Sequence, residues 1–222
     1  MASGTLILRP SSDVNRQHNL SSGSTCYAML METTADDDAT YIYQDISGTG
    51  TSTQSASSTI MLSGNQISGN ITVTGVTLFS RARKSGGSEV ANYDCTFSIG
   101  SNTLGNTSGS LSSSYTDAIN TDVNMVNILN QYITDNHALP TQIQCVIHSS
   151  GHKNQWKDGD GYIRITQVYM SIDYELNESQ RLFIKENNVW QPYTKGYKKQ
   201  NGVWMSTDIT SLFNTDTLYV KG

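Results

Sequence analysis

Asp36-Asp37-Asp38 is the run in this 222-residue chain whose residue types most invite a chemical reading. Loop carboxylates beside backbone carbonyls are the ligands that Ca²⁺ takes. The run lacks the glycine and the distal glutamate of a calcium-binding loop, so the competing reading is an acidic, solvated turn ahead of Tyr41-Ile42-Tyr43. The four histidines are His18, His137, His148 and His152. His148 and His152 stand four apart on a strand-to-loop stretch, there is no HExxH, and no Cys/His pair has zinc spacing. Nucleophilic chemistry is equally thin, because a serine-rich chain lets any triad be drawn and no G-x-S-x-G marks one serine out. A glycosidase needs two apposed carboxylates. The available pair, Asp158 and Asp160, shares a glycine-rich stretch that reads as a turn. No catalytic residue, resident metal or cofactor is therefore expected, and a polysaccharide-active enzyme remains only a remote alternative.

Trp156 offers a different chemistry. It sits in HKNQWKDGDG with His152, Lys153, Asp158 and Asp160 around it. A flat aromatic face among hydrogen-bonding side chains is how a protein holds a sugar ring, and loops at the ends of a β scaffold are where binding concentrates. The competing reading is that Trp156 covers the core.

The elements that must carry these residues are strands. Thr5–Arg9 reads as a first strand ended by Pro10, with Ser11–Ser24 as a connection and Tyr27–Met31 as a short apolar run. Tyr41–Tyr43 and Ser58–Leu62 follow, separated by a low-complexity stretch read as loop. In Asn70–Lys84 the apolar face changes from Ile71 and Val73 to Val76 and Leu78, which predicts a bulge at Gly75. Ser85-Gly86-Gly87-Ser88 predicts a turn that brings Glu89–Ile99 back antiparallel to that strand, with Ala91, Tyr93, Cys95, Phe97 and Ile99 inward. Ser101–Ser114 reads as loop, Ile119–Ile133 as the one helix, and Gln142–Ser149 as a strand whose Cys145 shares a core with Cys95. In Gly161–Tyr174 the inward side chains change parity near Thr166-Gln167, predicting a second bulge. About eight strands with turns between them imply two packed antiparallel sheets. The fold class is all-β, a jelly-roll-like antiparallel β-sandwich with one short helix over residues 1–176.

Residues 177–222 read as a separate docking module. FIKENNVWQPYT (Phe183–Thr194) and YKKQNGVWMSTD (Tyr197–Asp208) are one motif written twice. Asn187-Asn188 and Asn201-Gly202 suit the two-residue turn of a β-hairpin. Trp190 and Trp204 follow those turns, and Tyr197, Lys198 and Lys199 precede the second. Hairpins this small cannot bury enough apolar surface alone, so the tryptophans either pin each hairpin to a neighbour within the chain or dock on another molecule. Thr210–Gly222 is expected to add a short strand.

Composition bounds the rest. Serine and threonine number 54 and proline only 3, a profile of strands and turns with a neutral, hydroxylated surface. Residues 1–176 carry 15 acids and 8 bases, and residues 177–222 carry 4 and 6, so a body of −7 bears a tail of +2. A nucleic-acid-binding body would need a basic face. Three widely spaced cysteines, Cys26, Cys95 and Cys145, predict buried, reduced thiols. No stretch reads as a signal peptide or as a membrane span.

Thr33–Ser47 (TTADDDATYIYQDIS) resembles a segment of structural proteins from bacteriophages and prophages, and Thr5–Val14 and Ile163–Glu175 resemble flanking parts of that family. Tyr197–Trp204 (YKKQNGVW) resembles hairpin repeats near the C termini of phage virion proteins; the first repeat departs from it with Phe183 and Asn188. The resemblance implies a non-enzymatic virion accessory protein, assembled in a bacterial cytoplasm, whose partners are other virion proteins. It could be associated with the tail, baseplate or fibre and touch a cell-surface glycan. Alternatively it could decorate the capsid or form a head fibre. A homo-oligomer stays open.

Overall fold

The computed structural model describes residues 2–46, 53–67, 70–85, 88–153 and 161–177, together with the backbone of four C-terminal strands. Ala2–Leu176 form one compact unit, and Asn177–Gly222 belong to a second.

Among its described residues the first unit is a sandwich of ten antiparallel strands. One sheet is centred on β5 (Ile71–Lys84) and β10 (Tyr162–Leu176). β8 (Thr116–Asn120) pairs with the outer edge of β5. The other edge of β10 is shared, with β3 (Ile42–Asp45) along Tyr162–Ile165 and β1 (Ala2–Asn15) along Met170–Leu176. The two-residue β2 (Asn19–Leu20) lies beyond β3. The second sheet runs β1, β4 (Gln54–Ser63), β9 (Gln142–Lys153), β6 (Ser88–Ile99), β7 (Asn102–Ser108). β1 thus belongs to both sheets, Ala2–Leu8 to the first and Arg9–Asn15 to the second.

Pro10 does not end β1 as expected. It sits where the strand changes sheet, beside a register shift between Pro10 and Ser12. A bulge is where a strand tolerates a residue without an N–H. The two bulges expected from the face changes are present, both in the β5–β10 pair. Val73 pairs with Tyr174 and Gly75 with Asp173, so Thr74 is the extra residue; Ile165 pairs with Ala82 and Gln167 with Arg81, so Thr166 is the other. Each shift keeps apolar side chains inward on both sides of it, since Ile71, Val73, Val76 and Leu78 are all buried, as are Ile163, Ile165, Val168 and Met170.

Tyr93, Cys95 and Phe97 of β6 and Ile143, Cys145 and Ile147 of β9 fill the core beside them. Cys95 and Cys145 are in contact there, and burial pushes the Cys145 thiol well up. β6 does not return along β5, however. It pairs with β9 and β7, so the chain crosses between sheets after Ser85. Asn102–Ser108, read as loop, is the edge strand β7, and it inserts Leu104 and Thr107 into the interior.

Among the described residues two helices occur in place of one. α1 is a single turn, Cys26–Leu30, which buries Cys26, Met29 and Leu30. α2 is Val123–Asn136, four residues later than expected at its start, because Ile119 lies in β8 and is 63% exposed. The Asp122 side chain accepts from the N–H of Asn124 at the N-terminus, and His137 closes the other end in the left-handed conformation. Asn130 fastens the helix to the sheet. Its amide accepts from Val73 N–H at 2.9 Å and donates to Val73 C=O at 3.0 Å, replacing the strand partner that Val73 lacks on that edge.

In the second unit β11 (Phe183–Glu186) pairs with β12 (Val189–Pro192), and β13 (Lys195–Gln200) with β14 (Val203–Asp208). The registers match between copies, with Lys185 opposite Trp190 and Lys199 opposite Trp204. The turn residues 187–188 and 201–202 and the strand expected in 210–222 lie outside the described residues.

Candidate functional site

The acidic run is tied to a row of arginines on the outer face of the first sheet. Arg81 and Arg83 stand two apart on β5 and therefore share a face. Arg164 of β10 lies directly opposite Arg83. Like charges in that position repel, and Asp38 offsets the repulsion by accepting from Arg83 at 2.6 Å and from Arg164 at 2.9 Å. Asp37 takes a two-pronged bond from Arg81, at 2.7 and 3.0 Å, while Asp117 across from it on β8 accepts from the same guanidinium at 2.6 Å. Arg81 holds the Asp37 carboxyl below the usual range.

Aromatic rings complete the cluster. Arg164 lies between Tyr41 and Tyr162, 4.3 and 4.1 Å from their ring centres, and Arg83 lies 4.8 Å from that of Tyr115. The Tyr115 hydroxyl donates to the Asp37 carbonyl at 2.7 Å, and burial raises its pKa to about 12. Asp36 turns inward on its own loop and accepts from the Thr40 N–H and hydroxyl. The acidic run is therefore a counter-charged strap over the sheet, and its carboxylates are spent on guanidinium and hydroxyl donors. Among the described residues no group of three or more His, Cys, Asp or Glu is placed to hold a metal.

The bulge on β10 secures the same strap. Buried Thr166 donates to the Thr40 carbonyl at 3.0 Å, and Gln167 donates to the Glu32 carbonyl at 2.7 Å, which Arg9 also reaches.

A second polar constellation is internal. His18 links Ser58 of β4 through Nδ1 and Ser149 of β9 through Nε2, both at 2.8 Å. Ser149 donates onward to Gln44 Oε1 of β3 at 2.6 Å. With that hydroxyl proton committed, Ser149 accepts from His18 Nε2–H, and Nδ1 accepts from Ser58, which itself accepts from the N–H groups of Gln17 and His18. Serine–histidine contact is the geometry of an activated nucleophile. Here Ser58 and Ser149 are wholly buried, so neither hydroxyl meets a substrate. Burial, reinforced by the charge of His148, lowers the His18 pKa to about 4 and keeps the ring neutral.

Of the expected site residues, His152 and Lys153 close β9, half-buried, next to β6. Trp156, Asp158 and Asp160 lie outside the described residues. For Trp190, Trp204, Tyr197, Lys198 and Lys199 the backbone places each in its hairpin strand. The structure thus brings together Asp36, Asp37 and Asp38 and adds Arg81, Arg83, Arg164, Asp117 and Tyr115, which sequence reasoning passed over. The signal for two of them was the Arg-x-Arg spacing in a strand, which puts both charges on one face.

No protein-family model matches this sequence, and no curated protein matches it. Among solved structures, the carbohydrate-binding module TmCBM61 in complex with β-1,4-galactotriose aligns over 61% of this chain and 72% of its own at 9% identity and a TM-score of 0.34. The glycoside hydrolase domain of Endo-D from Streptococcus pneumoniae R6 aligns over 92% of this chain and 29% of its own, at 9% identity and a TM-score of 0.31. The structure of infectious bursal disease virus Gt strain aligns over 80% and 61%, at 12% identity and a TM-score of 0.21. Likenesses this slight carry no argument about what the chain does; its fold rests on its own strands and registers.

Proposed function

We propose that this chain is a non-enzymatic structural protein of a bacteriophage particle, associated with the tail or fibre, in which the β-sandwich is displayed towards a host-surface glycan and the tandem hairpins attach it. The observation that carries the reading is the second unit. Two hairpins repeat one motif in one register, with a lysine opposite a tryptophan in each, and they belong to a unit of their own. A two-stranded hairpin gains little stability by itself, which suits a part that completes its burial on a partner. Many copies on one particle would let each bind weakly.

The test is to assemble phage particles with an epitope-tagged full chain or with the chain lacking residues 182–222, and to locate the tag by electron microscopy. Tagged full chain on the tail and its loss on truncation are expected. Truncated protein that still decorates particles would overturn the attachment role. Label over the head would move the protein to capsid decoration.

A further inference from the structure

Helix α2 buries Met125, Leu129 and Ile133 and turns Asn127, Gln131 and Asp135 outward, one turn apart. Between this face and the β6–β7 turn runs an open groove of about 660 Å³, whose second wall is Ile99 and Ser101–Thr103. That volume lies within the range of about 300–1,000 Å³ typical of small-molecule sites.

The lining is selective in chemistry. Asp135 is its one charged residue, and no lysine or arginine lines it. The side-chain amides of Asn102 and Asn127 make no hydrogen bond to other described residues, so each presents a donor pair and an acceptor. Gln131 donates to Asp135 Oδ1 at 3.0 Å, which fixes that carboxylate as an acceptor. Tyr132, half-buried one turn from Ile128, supplies the aromatic surface. An apolar ligand would strip water from these amides without replacing it. An anion would meet Asp135 with no cation to offset it. A ring with one apolar face and a rim of hydroxyls satisfies both surfaces. The wall is also held in place beforehand, by Asn130 on Val73 and by caps at both helix ends, which lowers the ordering cost of binding.

We infer that the groove between α2 and the β6–β7 turn binds a neutral saccharide, with Tyr132 against the sugar ring and Asn102, Asn127 and Asp135 on its hydroxyls. The inference rests on the glycan-binding part of the proposed function and moves its site away from the Trp156 stretch.

The full chain is titrated by calorimetry and saturation-transfer NMR with cellopentaose, maltopentaose, mannopentaose, galactopentaose and chitopentaose, with sialyllactose as the anionic control. Binding of at least one neutral member is expected. Tyr132→Ala and Asn127→Ala should each weaken it about tenfold, the scale of one ring contact or one hydrogen bond to ligand, with melting temperature held. Tyr132→Phe should retain it. Asn127 is exposed, so its variant keeps the test alive if Tyr132→Ala fails to fold. If Trp156→Ala abolishes binding while both groove variants bind normally, the groove is wrong and glycan binding stands. If no neutral sugar binds the wild type, the groove and the glycan reading both fail, and particle attachment is judged by truncation. Stronger binding of sialyllactose, lost in the groove variants, would overturn the ligand class.

Discussion

His18 is the residue at which chemistry and stability meet. It ties β3 of one sheet to β4 and β9 of the other through four side chains, and every proton in the chain of bonds has one acceptor. A second proton on the ring would turn Nδ1 into a donor facing Ser58, whose oxygen already accepts two backbone N–H groups. The folded pKa, about 4, lies below the ordinary value of 6.5. The unfolded chain therefore binds more protons between those limits. Stability is fully present above pH 6.5 and is lost as pH falls towards 4, by about 3 kcal/mol from this group. Denaturant titrations at pH 7 and pH 4 should show that slope, and His18→Gln should flatten it; an unchanged slope would show that other groups carry the acid sensitivity. The cysteines make a second residue-scale prediction. All three are buried, and burial raises Cys26 to about 11 as well as raising Cys145. A thiol reagent should label none of them in the native protein at pH 7 and three in urea. Burial of Cys95 and Cys145 was legible from the sequence because each alternates with apolar residues in a strand, while Cys26, in α1, was expected to be buried only from the odd count and wide spacing of the cysteines. His18 was not, because its partners come from strands 40 and 131 residues away.

At the scale of elements, what the sequence encodes is parity, and what it hides is partnership. Both bulges were legible because one extra residue moves the apolar side chains to the other parity. The β5–β6 connection was not, because a glycine-serine turn reverses the chain without stating which sheet receives it. β7 escaped because an edge strand with a single large inward residue, Leu104, carries no periodic signal above its Gly, Ser and Asn content. The candidate site follows the same division. The acidic run was visible, while the guanidinium row it covers comes from two strands some eighty residues apart in sequence. That row makes a testable element. Asp38→Asn leaves Arg83 and Arg164 opposed without their shared negative charge. Side chains this exposed are worth about 1 kcal/mol or less as single pairs, so the expected result is release of the strap more than loss of fold. Protease cleavage within 33–40 should speed up in Asp38→Asn, and for the wild type in high salt, which screens the same pairs. Equal cleavage rates would show that the bonds from Tyr115, Thr166 and Gln167 hold the strap without the ion pairs of Asp38.

For the whole molecule, the decisive property is the division at Leu176 between a sandwich with a continuous core and a pair of hairpins. The sandwich closes its layers over strands from both ends of the unit, since β1 and β10 pair along Ala2–Leu8. Among the described residues every strand paired in the two sheets comes from Ala2–Leu176. Among the described residues each hairpin is a two-stranded sheet, and two-stranded sheets are marginal in water. The prediction is asymmetric. Residues 1–176 alone should unfold in one cooperative transition within a few degrees of the full chain. Residues 177–222 alone should show no cooperative transition until a particle component that accepts them is added. Calorimetry of the two fragments and the whole decides the matter. If the tail melts cooperatively by itself, its tryptophans already have the burial they need, and the argument that attachment completes its folding is lost. If the body melts far below the full chain, the hairpins instead stabilise the sandwich from within, and their lysine–tryptophan register is a matter of folding and not of docking.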